Sequence, residues 1–270
     1  MILDQTRNDT VVFGPPAYER YFVPAIGRPI AEDLVATAQL QSGEQVLDIA
    51  CGTGIVARLA ARQVMPTGAV SGADINPGMI AEAKRACADF PNIDWHEADA
   101  AALPMPDNSF DVVLCQMGIQ FFPAKLPPLK EMRRVLRPGG RVVVNTPGPM
   151  PALFAVIRDA VARHVGPKQA GFLDTVFSVH DPDEYTELLR SAGFAKLDVR
   201  RVEKNLDLPS PVDFLWQYLQ STPIGADVFG MTDQDELSAL ETHVRTGCHQ
   251  FEEGSGMKLQ VGLTTAAAQK

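Results

Sequence analysis

The sequence predicts a doubly wound α/β fold, and three observations predict it. Residues 46–50 form an apolar run with one acid, Asp48, and lead straight into the turn Cys51-Gly52-Thr53-Gly54. The turn opens a stretch in which Ile55, Val56, Leu59, Ala60 and Val64 share one helical face. Strand-like and helical patterns then alternate from residue 45 to about 146, the rhythm of βαβ units in a parallel sheet with right-handed crossovers.

The elements follow in order. Val46–Ala50 is the first strand and 55–64 the first helix of this region. Ala69–Ala73, ending in Asp74, is the second strand; Asn76-Pro77 supplies an N-cap and a first helical position for a helix over 77–88. Ile93–Glu97 is the third strand, followed by the loop Leu103-Pro104-Met105-Pro106. Phe110–Cys115 is the fourth, and a helix over 124–136 stops at Arg137-Pro138-Gly139-Gly140. Arg141–Thr146 is the fifth strand.

Beyond Pro147 the pattern loosens. A helix is expected near 153–165, and Asp181-Pro182-Asp183-Glu184 has the form of a capping box for a helix over 183–192 that Gly193 ends. Residues 197–202 read as a sixth strand, 211–220 and 233–249 as helices, and 258–265 as a last strand. Residues 1–14 and 266–270 read as loose ends. The helices after strand five and between strands six and seven are additions to the sheet. Additions of this kind lie where open α/β sheets bind ligands, so they are expected to form a lid. The expected division is an N-terminal helical cap (1–44), a Rossmann-like domain (45–204 with 255–270) and a helical insertion (205–254).

A chain of 270 residues with 46% apolar and 21% charged residues suits a globular protein of one large domain with an appendage. The net charge of −9 and pI near 5.0 argue against nucleic acid or an anionic membrane as the main partner. The basic run Lys130, Arg133, Arg134, Arg137 and Arg141 reads as the solvated face of a helix. Cys51, Cys87, Cys115 and Cys248 have neither disulfide-framework nor zinc spacing. With no apolar stretch of signal or membrane-spanning length, a cytoplasmic protein without integral membrane association is expected.

The ligand is the next question. A dinucleotide fold would use Gly-x-Gly-x-x-Gly; here the positions are Gly52, Gly54 and Ala57, with Asp74 as the ribose acid. Asp74 does not discriminate between nicotinamide and adenosyl ligands. Asp48 does more: a carboxylate inside a strand is costly unless paired, so it either anchors the turn or faces an ammonium group. The methionine part of S-adenosylmethionine carries such a group, and a nicotinamide cofactor does not. Asp99, at the end of strand three, is placed to meet the amine of an adenine.

Five segments in this order resemble the class I S-adenosylmethionine-dependent methyltransferases, and within them the ubiquinone/menaquinone-biosynthesis (type 11) group. They are Leu47-Asp48-Ile49-Ala50-Cys51-Gly52-Thr53-Gly54, Gly72-Ala73-Asp74-Ile75-Asn76-Pro77-Gly78-Met79, Glu97-Ala98-Asp99-Ala100, Ser109-Phe110-Asp111-Val112-Val113 and Leu136-Arg137-Pro138-Gly139-Gly140-Arg141. Ser191-Ala192-Gly193-Phe194 matches the group as well, whereas 205–257 carries no matching motif. The resemblance implies a seven-stranded Rossmann-like sheet with its last strand antiparallel, helices on both faces and a helical lid. It implies that Asp48, Gly52 and Gly54 hold the methionine end, that Asp74 binds the ribose, and that Ile75 lies against the adenine. Asp99 and Ala100 would meet the adenine edge, and Gln116 the cofactor or substrate. Cys51 and Met79, inside the quoted segments, join the cofactor set. Tyr21 sits where the group's N-terminal helix covers the cofactor carboxylate, or else simply packs. Family members often have glycine where this chain has Ala50 or Cys51, which leaves the turn's shape open.

The implied activity is in-line methyl transfer from S-adenosylmethionine, giving S-adenosylhomocysteine, to a small acceptor. Aromatic residues of the lid candidates (Phe154, Phe172, Phe177, Phe214, Trp216, Tyr218, Phe229) are core or line a hydrophobic acceptor pocket. His180 is the candidate general base, and the alternative is a solvated loop histidine. No residue set suggests a catalytic metal, so activity is expected to survive EDTA. The alternatives are a nicotinamide-dependent oxidoreductase and a non-catalytic cofactor-binding protein. A monomer or a homodimer through 211–249 is expected, and the atom methylated is left open.

Overall fold

A computed structural model describes residues 12–270; the expectations for the first ten residues, and most of that for 1–14, lie outside the described residues. The described chain packs as two units. The larger comprises Ile26–Pro149, Thr175–Lys204 and Val261–Lys270; the smaller comprises the chain through Ala25, Met150–Asp174 and Asn205–Gln260.

In the larger unit, β1 (Gln45–Ile49), β2 (Ala69–Asp74), β3 (Ile93–Glu97), β4 (Phe110–Gln116) and β5 (Leu136–Pro147) pair in parallel. β6 (Ala195–Leu208) and β8 (Gly256–Gln269) complete the sheet in the order β3-β2-β1-β4-β5-β8-β6, and β8 runs antiparallel to β5. This is the expected seven-strand path with its last strand reversed. The two-residue β7 (Glu252–Glu253) pairs only with the start of β8, inside the smaller unit.

Helices α2 (Arg28–Ala38), α3 (Ile55–Val64), α4 (Pro77–Ala86), α5 (Leu126–Val135) and α8 (Pro182–Ser191) flank the strands. Val113 and Cys115 of β4, Val142 and Val144 of β5, and Ala266 and Ala268 of β8 form one core with Leu129 and Met132 of α5 and Tyr185 and Leu189 of α8. The alternate residues face the other way, where Arg141 donates to the Ala38 carbonyl at the end of α2 at 2.7 Å.

Four expectations are corrected. The Arg137–Gly140 turn is absorbed into β5 as an irregularity, since pairing with β4 jumps from Phe110↔Leu136 to Val112↔Arg141. Residues 266–269, expected to be loose, are ordered within β8, because small alanines fit the packed interior of the sheet. β6 begins earlier and ends later than its short predicted span. Asp181 caps α8 through the Asp183 N–H alone, without the reciprocal half of a capping box.

The smaller unit contains α1 (Pro15–Ala17), most of a π-helical segment (Tyr18–Gly27), α6 (Ala152–His164), α7 (Pro167–Val176, largely in this unit), α9 (Pro211–Ser221), α10 (Gly225–Met231) and α11 (Gln234–Cys248). Asp233 makes a full capping box with Glu236 at the start of α11. Phe154 meets Phe214 and Tyr218 edge-on, with ring centroids 5.9 and 5.3 Å apart, and all three are buried. Trp216 and Phe13 gather on Phe229. Much of the predicted aromatic set is therefore hydrophobic core; Phe177 is buried within the larger unit instead.

Candidate functional site

The glycine turn is built by three left-handed residues, Ala50 (φ 54°), Gly52 (φ 53°) and Gly54 (φ 86°). Ala50 adopts this conformation despite its Cβ, so replacing the family's glycine leaves the turn intact. Gly54 precedes α3 without a capping side chain. Asp48 supplies the missing acceptor from inside β1: its Oδ2 accepts from the Ala57 N–H at 3.1 Å. Glycine is required at position 54, because a Cβ there would lie 2.4 Å from Trp95 Cη2.

Asp74, at the end of β2, accepts from the Gly52 N–H through Oδ2 and from the Asn76 N–H through Oδ1, each at 2.9 Å. The ribose acid and the glycine turn are thus one hydrogen-bonded unit. Ile75 follows with 68% of its surface exposed, one of few large apolar side chains left open. Met79 lies half-buried in the first turn of α4, whose N-cap Asn76 accepts from the Gly78 N–H. Asp99 is exposed and accepts from the Ala101 N–H at 2.8 Å, which fixes the loop past β3, while Ala100 is buried in the core. Cys51 is buried in the turn.

Gln116 ends β4, and its Nε2 donates to the Gly27 carbonyl at 3.0 Å. His180 lies in the loop before α8. Its Nδ1 is 2.8 Å from the Phe177 carbonyl, which can only accept, so Nδ1 carries the proton and Nε2 is left as the basic nitrogen. A Cβ on Gly148 would meet His180 Cβ at 2.6 Å, so the imidazole packs on the backbone just past β5. Tyr21 belongs to the smaller unit, with the Arg20 guanidinium 5.2 Å from its ring centroid.

The electrostatics are one-sided. Burial pushes the Asp48 carboxyl well above the ordinary range, the Ala57 hydrogen bond opposes this, and the charge of Asp74 adds to it. Burial also raises Asp74, against its hydrogen bonds to the turn. The Ala57 and Gly52 N–H groups, which a diphosphate would use in a dinucleotide site, already serve these carboxylates. A cationic ligand fits such a turn and an anionic one does not, so the nicotinamide alternative is disfavoured. S-adenosylmethionine, with its sulfonium and ammonium charges and its ribose and adenine, matches the two acids and the open Ile75.

In the basic run Lys130 is exposed, while the four arginines are partly buried and engaged. Arg133 donates to the Gly193 carbonyl, Arg134 binds Glu131 and Asp107, Arg137 grips Asp111, and Arg141 binds Glu44. Asp111 also accepts from the Gln45 N–H, so this part of the matching pattern ties β1 to β4. The four cysteines are all buried and unbridged. Among the described residues no helix is long and apolar enough to cross a membrane.

Comparison with known proteins shows the family. Residues 46–140 match the model of a family described as a methyltransferase domain. The chain is 32% identical to the demethylmenaquinone methyltransferase of Staphylococcus aureus (strain JH9) over 173 residues, which cover 60% of this chain and 72% of that protein. Among solved structures, an S-adenosylmethionine-dependent methyltransferase from Aquifex aeolicus superposes with a TM-score of 0.53 at 19% identity, covering 70% of this chain and 92% of that one. A phosphoethanolamine N-methyltransferase from Haemonchus contortus, solved with phosphomonomethylethanolamine and S-adenosylhomocysteine, gives a TM-score of 0.61 at 20% identity, over 95% of this chain and 56% of that one. These two show a shared fold.

Proposed function

We propose, from the premise that this chain belongs to the class I S-adenosylmethionine-dependent methyltransferases of the menaquinone and ubiquinone type, that its acceptor is a small hydrophobic or aromatic molecule. The single observation that carries the site assignment is the pair of acids, Asp48 and Asp74, that hold the glycine turn through the Ala57 and Gly52 N–H groups. The acceptor class follows the substrate named for the Staphylococcus aureus relative, demethylmenaquinone.

S-adenosylmethionine supplies a methyl group activated by its positive sulfur. The residues of the chain bind and orient. Asp74 takes the ribose hydroxyls with oxygen lone pairs left over from the turn, and the exposed Ile75 covers one adenine face. Asp99 and Ala100 meet the adenine edge, and Asp48, Cys51, Gly52, Gly54 and Met79 enclose the methionine end. Gln116 reaches the cofactor or the acceptor. Holding acceptor and donor in near-attack geometry contributes up to about 7–11 kcal/mol in favourable cases. His180, with Nε2 free of the Phe177 contact, takes the acceptor's proton.

Calorimetric titration with S-adenosylhomocysteine tests the reading, on wild type and Asp74→Ala. Micromolar binding that the variant loses supports it. A wild type that does not bind overturns the site assignment.

A further inference from the structure

One level of side chains at the carboxyl end of the sheet divides into two halves. Gly72 and Leu114 both pair in register with Asp48, so Asp74 and Gln116, each two residues further along parallel strands, stand at the same height on the same face. Gln116 pairs with Asn145, and Asn145 with Thr265. Partners in register point to one face with Cβ atoms about 5 Å apart. The level thus runs from the ribose acid on β2 to a polar row on β4, β5 and β8. At about 4.8 Å per strand, Asn145 stands roughly 14 Å from Asp74 across the sheet.

The neighbouring row on the opposite face serves as a control. Thr146 donates to the Val179 carbonyl and accepts from the Tyr185 hydroxyl at 2.9 Å, and Thr264 donates to the His180 carbonyl. These polar groups are satisfied. Asn145 and Thr265, exposed by 0% and 1%, are not: both amide atoms of Asn145, the Thr265 hydroxyl and Gln116 Oε1 have no partner among the described residues. Gln120, in the short turn Ile119–Phe121 that follows β4, has both amide atoms unpaired as well. Buried polar groups normally find partners, because an unpaired one forfeits its hydration with no return. A run of them at one strand end, where α/β sheets bind ligands, calls for a ligand as the missing partner.

We infer that Gln116, Asn145 and Thr265 form an uncharged subsite that holds a hydroxyl or carbonyl oxygen of the methyl acceptor; this rests on the methyltransferase reading above. Amides and a hydroxyl offer both donors and acceptors, which suits a phenolic or quinone-type oxygen. A carboxylate or phosphate would call for a cation. Arg141, on the same strand and face, is committed to Glu44 and to the Ala38 carbonyl.

The test uses Thr265→Val, which keeps shape and removes the hydroxyl, and Asn145→Leu. Each is titrated with S-adenosylhomocysteine, then, once loaded, with para-dihydroxynaphthalene and with the same ring bearing a carboxylate; ligand-free Tm is measured alongside. Both variants are expected to bind S-adenosylhomocysteine within about twofold of wild type and the neutral probe at least about tenfold more weakly. Their Tm stays level or rises, since an unpaired buried group has gone. Wild type binds the neutral ring more tightly than the carboxylated one. Unchanged probe affinity, a lower Tm in both variants, lost S-adenosylhomocysteine binding, or a preference for the carboxylate overturns the inference. A wild type that binds S-adenosylhomocysteine but neither ring also overturns the subsite and leaves the methyltransferase reading standing. A wild type that does not bind S-adenosylhomocysteine sinks the site assignment itself.

Discussion

Asp48 and Asp74 hold the same glycine turn from opposite ends, one through the Ala57 N–H and the other through the Gly52 N–H, and the charge of Asp74 raises the pKa of Asp48. Two acids so close are a cost in the ligand-free protein and an asset once a cation arrives.

That cost gives a pH dependence. The folded-state pKa of Asp48 lies above its unfolded value, so its favourable contribution is complete below about pH 4 and is lost as pH rises through the folded pKa. Asp48→Asn keeps an oxygen for the Ala57 N–H without the charge. The Tm difference between variant and wild type is expected to be near zero at the acid end and to grow in the variant's favour as pH rises. S-adenosylhomocysteine binds the ionised wild type better, so its affinity falls on acidification, and the variant lacks that slope. Thermal melts and titrations at several pH values check both.

Asp74→Asn separates binding from support. The amide oxygen still accepts one N–H, so Tm falls by no more than about 2–4 °C for each kcal/mol lost. Asp74→Ala leaves the part-buried Gly52 N–H without its partner, at roughly 1–3 kcal/mol, whereas the exposed Asn76 N–H turns to water. Calorimetry is expected to show weakened S-adenosylhomocysteine binding in the first variant and none in the second.

Gly54→Ala combines a left-handed backbone with a collision against Trp95. The conformation costs about 1–2 kcal/mol and the overlap about 1–3 kcal/mol more. Trp95→Leu in the same chain removes only the second part. A denaturant double-mutant cycle should therefore return a favourable coupling between the two substitutions, and additivity would show that the indole does not limit this position.

His180→Gln removes the basic Nε2. If His180 takes the acceptor proton, kcat drops by about 10²–10⁴-fold while S-adenosylhomocysteine affinity holds. An unchanged kcat assigns His180 to packing against Gly148.

The sheet and its turn were legible because local chemistry dictates them: Asn76-Pro77 caps a helix, and Cys51-Gly52-Thr53-Gly54 bends between strand and helix. Helices α7 and α10 were missed because Gly171, Gly225 and Gly230 lower helix propensity, and only packing restores it. The end of β8 was missed because alanine is a poor strand former, and residues 266–268 are strand only through pairing with β5. Of the site, Asp48 announced itself as an acid inside an apolar strand and Asp74 as an acid at a strand end. Asn145 and Thr265 did not, since their alignment with Gln116 exists only in the register of three strands distant in sequence. Polar residues directly after the apolar runs Val112–Cys115 and Val142–Val144, Gln116 and Asn145, were the available signal.

The position of β8 constrains how the chain is made. Residues 263–269 pair with β5 inside the sheet, yet the ribosome delivers them after every other strand. Until they emerge, β5 presents an open edge able to recruit a stray strand from another nascent chain. The segments of the smaller unit, through Gln260, are all synthesised before that closing strand. The smaller unit can therefore mature first, and a stalled or clipped translation product that lacks residues 263–269 has an unfinished sheet and is marked for aggregation or degradation.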